Sequence, residues 1–134
     1  DIADGKAEII TLARSSQDSM KQYLCNQYIA CFSMAGMQVK LEGGYSGWQP
    51  NPKSPLVGMM ADIYEKMYGK RPVVGACHAG LECGIIGVNY PGMDMASYGP
   101  TLVSPHTPNE ACHIPSVERF YNFTLEILKN IPKK

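Results

Sequence analysis

The sequence predicts an α/β layered fold, and three of its stretches carry that reading. Residues 6–14, 18–35 and 37–41 follow one another as strand, helix and strand. Residues 54–69 read as a second helix with its own start and stop signals. After it, short apolar runs at 72–76 and 93–98 alternate with helical periods as far as Ile131.

In order, residues 6–14 (KAEIITLAR) are rich in Ile, Thr and Leu and follow the turn pair Asp4-Gly5, which suits a strand ending at Arg14. Ser15-Ser16-Gln17-Asp18 supplies an N-cap with an acidic residue in the first helical turn. Met20, Leu24, Tyr28, Cys31 and Ala35 recur near the helical period and form an apolar stripe, with Gly36 as a left-handed stop. Met37, Val39 and Leu41 alternate with Gln38, Lys40 and Glu42, a half-buried strand. This βαβ unit covers one face of a small sheet and lacks the strands to complete it. Gly43-Gly44 breaks the pattern, and residues 45–55 (YSGWQPNPKSP) have no period. Their Gly and Pro content predicts a crossing between two structural units, so the domains are placed at 1–47 and 48–134. Trp48, the one tryptophan, reads as an anchor for that crossing.

Ser54-Pro55 is a strong helix start, Ser as N-cap and Pro at the first helical position. Leu56, Met60, Ile63 and Met67 give this helix an apolar stripe that reads as core, and Gly69 ends it. Residues 72–76 suggest a short buried strand, His78-Ala79-Gly80 a turn, and residues 81–87 a brief helix. Residues 93–98 suggest another short strand closed by Gly99-Pro100. Ser116 then caps a last amphipathic helix lined by Val117, Phe120, Thr124, Ile127, Leu128 and Ile131.

A chain of 134 residues suffices for one domain or for parts of two that continue beyond it. With 45% hydrophobic and 18% charged residues it can bury a core. Its formal net charge is zero and it has no basic cluster, which argues against nucleic acid or an anionic membrane as partner. No apolar run approaches the roughly 20 residues of a membrane span. The opening DIADGKAE is polar and acidic, unlike a signal peptide. Five cysteines, odd in number and without C-x-x-C spacing, are expected to be reduced thiols in a cytoplasmic protein. The chain begins at Asp1 and enters a strand pattern almost at once, so it is expected to be a piece of a longer polypeptide.

The chemically suggestive residues cluster between Val73 and Glu110. His106 follows Pro105 and precedes Pro108, in SPHTPNE. A loop stiffened by prolines loses less entropy when one side chain must be aimed. Imidazole is a common zinc ligand, and a nearby carboxylate or carbonyl can fix its tautomer. Pro108 denies the segment a regular helix, so His106 and Glu110 are not a helical metal-binding pair. A lone loop histidine is more often an ordinary surface residue, and geometry alone does not decide it. In His78–Gly84, Gly80 would let backbone approach a ligand, and Glu82 in the first turn would face the opening; a solvated Glu on a tight turn fits as well. Cys77 and His78, as neighbours on a strand, would point oppositely, which argues against a thiol nucleophile. Arg14 reads either as a surface charge or as a planar fork for a substrate carboxylate.

Recognition adds to this. GGYSGWQPNPKSPL, then CHAGLECGIIGVNYPGMDMASYGPTLVSPHTPNE, then IPSVERFYNFTLEIL closely resemble the bacterial aminoacyl-histidine (Xaa-His) dipeptidases, di-zinc metallopeptidases of the M20 group related to carnosinase. ITLARSSQDS resembles the family's lid-domain strand and the helix after it. The resemblance covers essentially the whole chain. It implies the last βαβ part of a lid domain over residues 1–47, then the C-terminal part of an M20-type α/β catalytic domain over 48–134. It places the family's final zinc-binding histidine on His106 and a carboxylate-gripping arginine on Arg14, and lays Gly80 and Glu82 against the substrate.

The implied function is zinc-dependent hydrolysis of carnosine-like Xaa-His dipeptides, with two zinc ions per complete site, other divalent metals being acceptable. The partners are a dipeptide substrate, the N-terminal part of the same enzyme, and a second copy in a homodimer. The family's H-x-D element, its Glu-Glu pair with the general base and a further Asp ligand have no counterpart here, so the chain alone is expected to be inactive. The alternative is a non-catalytic association module that pairs an exposed sheet edge with another copy. An H-x-D and a Glu-Glu upstream of Asp1 would discriminate in favour of the peptidase.

Overall fold

The structure is a computed structural model that describes residues 2–76 and 82–132. Its elements run β1 (Ile2–Ala3), β2 (Lys6–Ala7), α1 (Asp18–Met34), α2 (Pro55–Tyr68), α3 (Glu82–Asn89), β3 (Leu102–Val103), β4 (Ala111–Cys112) and α4 (Ile114–Asn130). They group into two compact units, Asp1–Pro50 with Ala76–Pro91, and Asn51–Gly75 with Gly92–Lys134. Helices and short antiparallel ladders make the α/β class, as the sequence predicts.

In the first unit β1 and β2 form an antiparallel hairpin with Ile2 opposite Ala7. Asp4 and Gly5 sit at φ of 52° and 73°, the double left-handed geometry that Asp-Gly supplies to a two-residue turn. The expected strand over residues 6–14 stops at Ala7, and Ile10 is 86% exposed. Residues 37–41 likewise lack strand pairing, although Met37 and Val39 are half-buried while Gln38 and Lys40 are exposed. Alternation survives but the ladder does not, because a strand is completed by a hydrogen-bonding neighbour and none faces these residues among those described.

The α1 helix starts at Gln17 rather than at a capping serine; Ser15 Oγ instead accepts the Gln17 N–H at 3.1 Å. Its end is a Schellman motif. Gly36 lies at φ 76°, its N–H reaches the Ser33 carbonyl at 3.0 Å, and the Met37 N–H reaches Phe32 at 3.0 Å. None of its side chains is fully buried, so the expected stripe is only partly covered.

Among the described residues, the buried apolar core lies in the second unit. Met60 of α2 meets Phe123 and Ile127 of α4, flanked by Leu56, Met59, Ile63, Tyr64, Tyr68 and Ala96. The Tyr64 and Phe123 rings stand edge to face at 5.2 Å, and Tyr98 packs on Phe123 at 5.5 Å. Ser54 caps α2 by accepting the Val57 N–H at 3.0 Å, Pro55 opens it and Gly69 ends it at φ 70°, as expected. A second cap was not foreseen: the Asp94 carboxylate accepts the Leu56 N–H at 3.0 Å. Hydrogen bonds from Ser54 and Leu56 hold the Asp94 carboxyl below its ordinary range.

Other expectations shift. Residues 72–76 are not a buried strand, since Val73 is 96% exposed, and residues 93–98 pair with nothing described. The ladder forms instead between β3 and β4, with Leu102 opposite Cys112 and Val103 opposite Ala111. Ser116 lies inside α4, whose N-cap is His113. Its hydroxyl donates to the His113 carbonyl at 2.6 Å and accepts the Thr101 N–H at 2.8 Å, pinning the hairpin to the helix start. Phe123 rather than Val117 or Leu128 fills the core; Leu128 is 60% exposed.

Candidate functional site

His106 lies in the seven-residue tip, 104–110, between the paired strands β3 and β4. The tip is built rather than loose. Thr107 Oγ1 donates to the Ser104 carbonyl at 2.8 Å and accepts the Asn109 N–H at 3.2 Å. The Glu110 N–H reaches the Thr107 carbonyl at 3.0 Å. The His106 N–H donates to Glu110 Oε2 at 2.7 Å. Ser104 and His106 sit at φ of 49° and 63°, in the left-handed region where a non-glycine residue costs about 1–3 kcal/mol. Surrounding bonds sustain that cost, and such strain concentrates where a side chain must be aimed.

The His106 side chain is exposed. Glu110 accepts from the His106 backbone N–H, so what it fixes is the main chain.

Arg14 and Glu82 belong to the first unit. Arg14 does not end a strand; it is an exposed residue just ahead of Ser15 and Ser16. A Cβ on Gly47 would lie 2.6 Å from the Ser15 and Ser16 carbonyl oxygens, so only glycine permits this approach. A Cβ on Gly84, in the first turn of α3, would lie 2.6 Å from the Ser46 carbonyl. Residues 15–16, 46–48 and the start of α3 therefore stack backbone on backbone. Glu82 is exposed in the first turn of α3.

A polar clamp closes it. Asp18 Oδ1 accepts the Gly47 N–H at 3.0 Å and pairs with Lys21 Nζ at 2.9 Å, while Lys21 also donates to the Tyr45 carbonyl. The Gly47 N–H, then Lys21, hold the Asp18 carboxyl below its ordinary value. Trp48 is half-buried. Gly80, with Cys77, His78, Ala79 and Leu81, lies outside the described residues.

Asp18, Lys21, Gly47, Asp94 and the backbone role of Glu110 were not singled out by the sequence. Asp18 showed only as a first-turn acid and Gly47 as one glycine among 13.

An exposed imidazole on a fixed loop suits one position in a zinc shell. A catalytic zinc takes about three protein ligands. Among the described residues no group of three or more His, Cys, Asp or Glu could hold a metal ion, so these residues do not by themselves make a zinc centre. No helix among them is long and apolar enough to cross a membrane.

The class of protein to which the chain is similar is the dipeptidases. No family model matches it. Over 133 residues, 99% of the chain, it is 40% identical to the cytosol non-specific dipeptidase of Escherichia coli (strain K12). In structure it resembles the aminoacylhistidine dipeptidase from Vibrio alginolyticus, with a TM-score of 0.74 and 38% identity over 90% of this chain. It spans 27% of the first protein and 24% of the second, about a quarter of each. The resemblance carried by HAGLECG and SPHTPNE is borne out: the chain is a homologue of part of these dipeptidases.

Proposed function

We propose that the chain is the C-terminal portion of a cytoplasmic, zinc-dependent dipeptidase of the M20 group that hydrolyses Xaa-His dipeptides. Residues 1–47 close a lid domain, and 48–134 close the catalytic domain. His106 gives its imidazole to one of two zinc ions. Arg14 grips the substrate carboxylate through its planar fork, and Glu82 and Gly80 lie along the substrate. The remaining metal ligands and the general base belong to polypeptide upstream of Asp1. The whole enzyme acts as a homodimer.

The observation that supports this most is 40% identity across 99% of the chain. The strained, braced backbone at His106 agrees with a residue that must be aimed.

The test is hydrolysis of a Xaa-His dipeptide with added zinc. The purified chain should be inactive, and mixing it with the upstream half should restore turnover. His106→Ala in the full-length enzyme should abolish most turnover and release one zinc. Turnover by the isolated chain, or an unaffected His106→Ala enzyme, would refute the assignment.

A further inference from the structure

We infer that Glu110 is a positioning residue: its carboxylate holds the His106 main chain in the left-handed region and so sets the direction in which the imidazole leaves the hairpin. Three observations converge on it. The His106 φ of 63° lies in the left-handed region, uncommon for a non-glycine residue. The bond that satisfies the displaced N–H is short, 2.7 Å, and charge-assisted. Glu110 is itself fixed, because its N–H is bound to the Thr107 carbonyl at 3.0 Å and it directly precedes β4.

The chain of support therefore runs from the β3–β4 ladder through Glu110 to the His106 backbone. Pro105 and Pro108 restrict the φ of their own positions, but neither supplies an acceptor for the His106 N–H. With that bond lost, His106 is free to return to an ordinary φ, and rotation about its N–Cα bond swings the imidazole away. What the imidazole is aimed at rests on the zinc-ligand reading above; that Glu110 aims it does not.

The experiment uses the full-length enzyme labelled with 15N-histidine, with Glu110→Leu, Glu110→Asp, Glu110→Gln and His106→Ala variants. The readouts are the His106 amide resonance, zinc retention against a chromophoric chelator, and kcat with KM. Leu offers no acceptor and Asp is one methylene too short. Either should shift the His106 amide upfield, weaken retention of one zinc about tenfold, and lower kcat with KM little changed. Gln keeps a carbonyl oxygen at the same reach and should preserve the amide resonance and most zinc retention.

An unmoved His106 amide in Glu110→Leu overturns the inference. Should that variant fail to fold, Asp behaving like Gln overturns it as well. The two readings separate cleanly. His106→Ala that keeps both zinc ions sinks the ligand role, while a shifted amide in Glu110→Leu still establishes the positioning. Loss of zinc in His106→Ala with none in Glu110→Leu or Glu110→Asp sinks the positioning alone.

Discussion

The two compact units hold themselves together by different means. In the second, α2 and α4 face one another across Met60, Phe123 and Ile127, and α2 is capped at both ends. In the first, α1 has no fully buried side chain; what binds its start is backbone laid on backbone at Gly47 and Gly84, with the Asp18–Lys21 clamp around it. An apolar core tolerates small adjustments at a graded cost, whereas a glycine contact fails with the first added carbon. The chain thus has one unit stabilised by burial and one stabilised by close approach.

The harshest way to break this contrast is Phe123→Ala. Phe123 is only 8% exposed, and truncating a buried Phe costs about 3–5 kcal/mol. Near-UV circular dichroism of the tyrosines in the second unit should show its transition moved to lower urea, more than Trp48 fluorescence in the first. Coincident shifts of equal size would mean the two units unfold as one.

Gly47→Ala should act in the opposite sense, moving the Trp48 transition by about 1–3 kcal/mol through forced backbone displacement and leaving the tyrosine signal nearly in place. Ser54→Ala removes the buried cap of α2 and should cost about 1 kcal/mol, read in the second unit's transition. A wild-type midpoint would hand the capping role to Asp94.

The smallest effect sharpens the comparison through pH. Asp18 and Asp94 each have a carboxyl pKa below the ordinary 3.8, one in each unit. Such a group contributes stability that is fully present above its unfolded value and is lost as pH falls through the lowered folded value. Both units should therefore lose stability only below about pH 4 on this account. Asp18→Asn should flatten the acid limb of the Trp48 transition and Asp94→Asn that of the tyrosine transition. An acid limb unchanged in either variant removes that carboxylate from the account.

Legibility followed the range of the interaction. The Asp4-Gly5 turn, the Gly36 and Gly69 stops and the Ser54-Pro55 start were readable because each is decided within a few residues. Of the strand expected at 6–14 only Lys6–Ala7 pairs, and those at 37–41, 72–76 and 93–98 are not realised as ladders among the described residues, since apolar alternation announces a willingness to pair and says nothing of a partner. His106 and Arg14 stood out by type and setting; Glu110 did not, because a carboxylate four residues from a histidine looks the same whether it bonds imidazole, main chain or water.

By itself, the amino-acid order determined where α2 begins and ends and where α1 stops, the α/β class, and the likeness to dipeptidases, because caps, periods and motifs are local facts. Only the tertiary structure decided which apolar residues met in the core, that β3 pairs with β4, and that His106 is held at a left-handed φ by Glu110. Those outcomes depend on what a distant stretch of chain presents at the point of contact, and no window of sequence contains both sides of a contact.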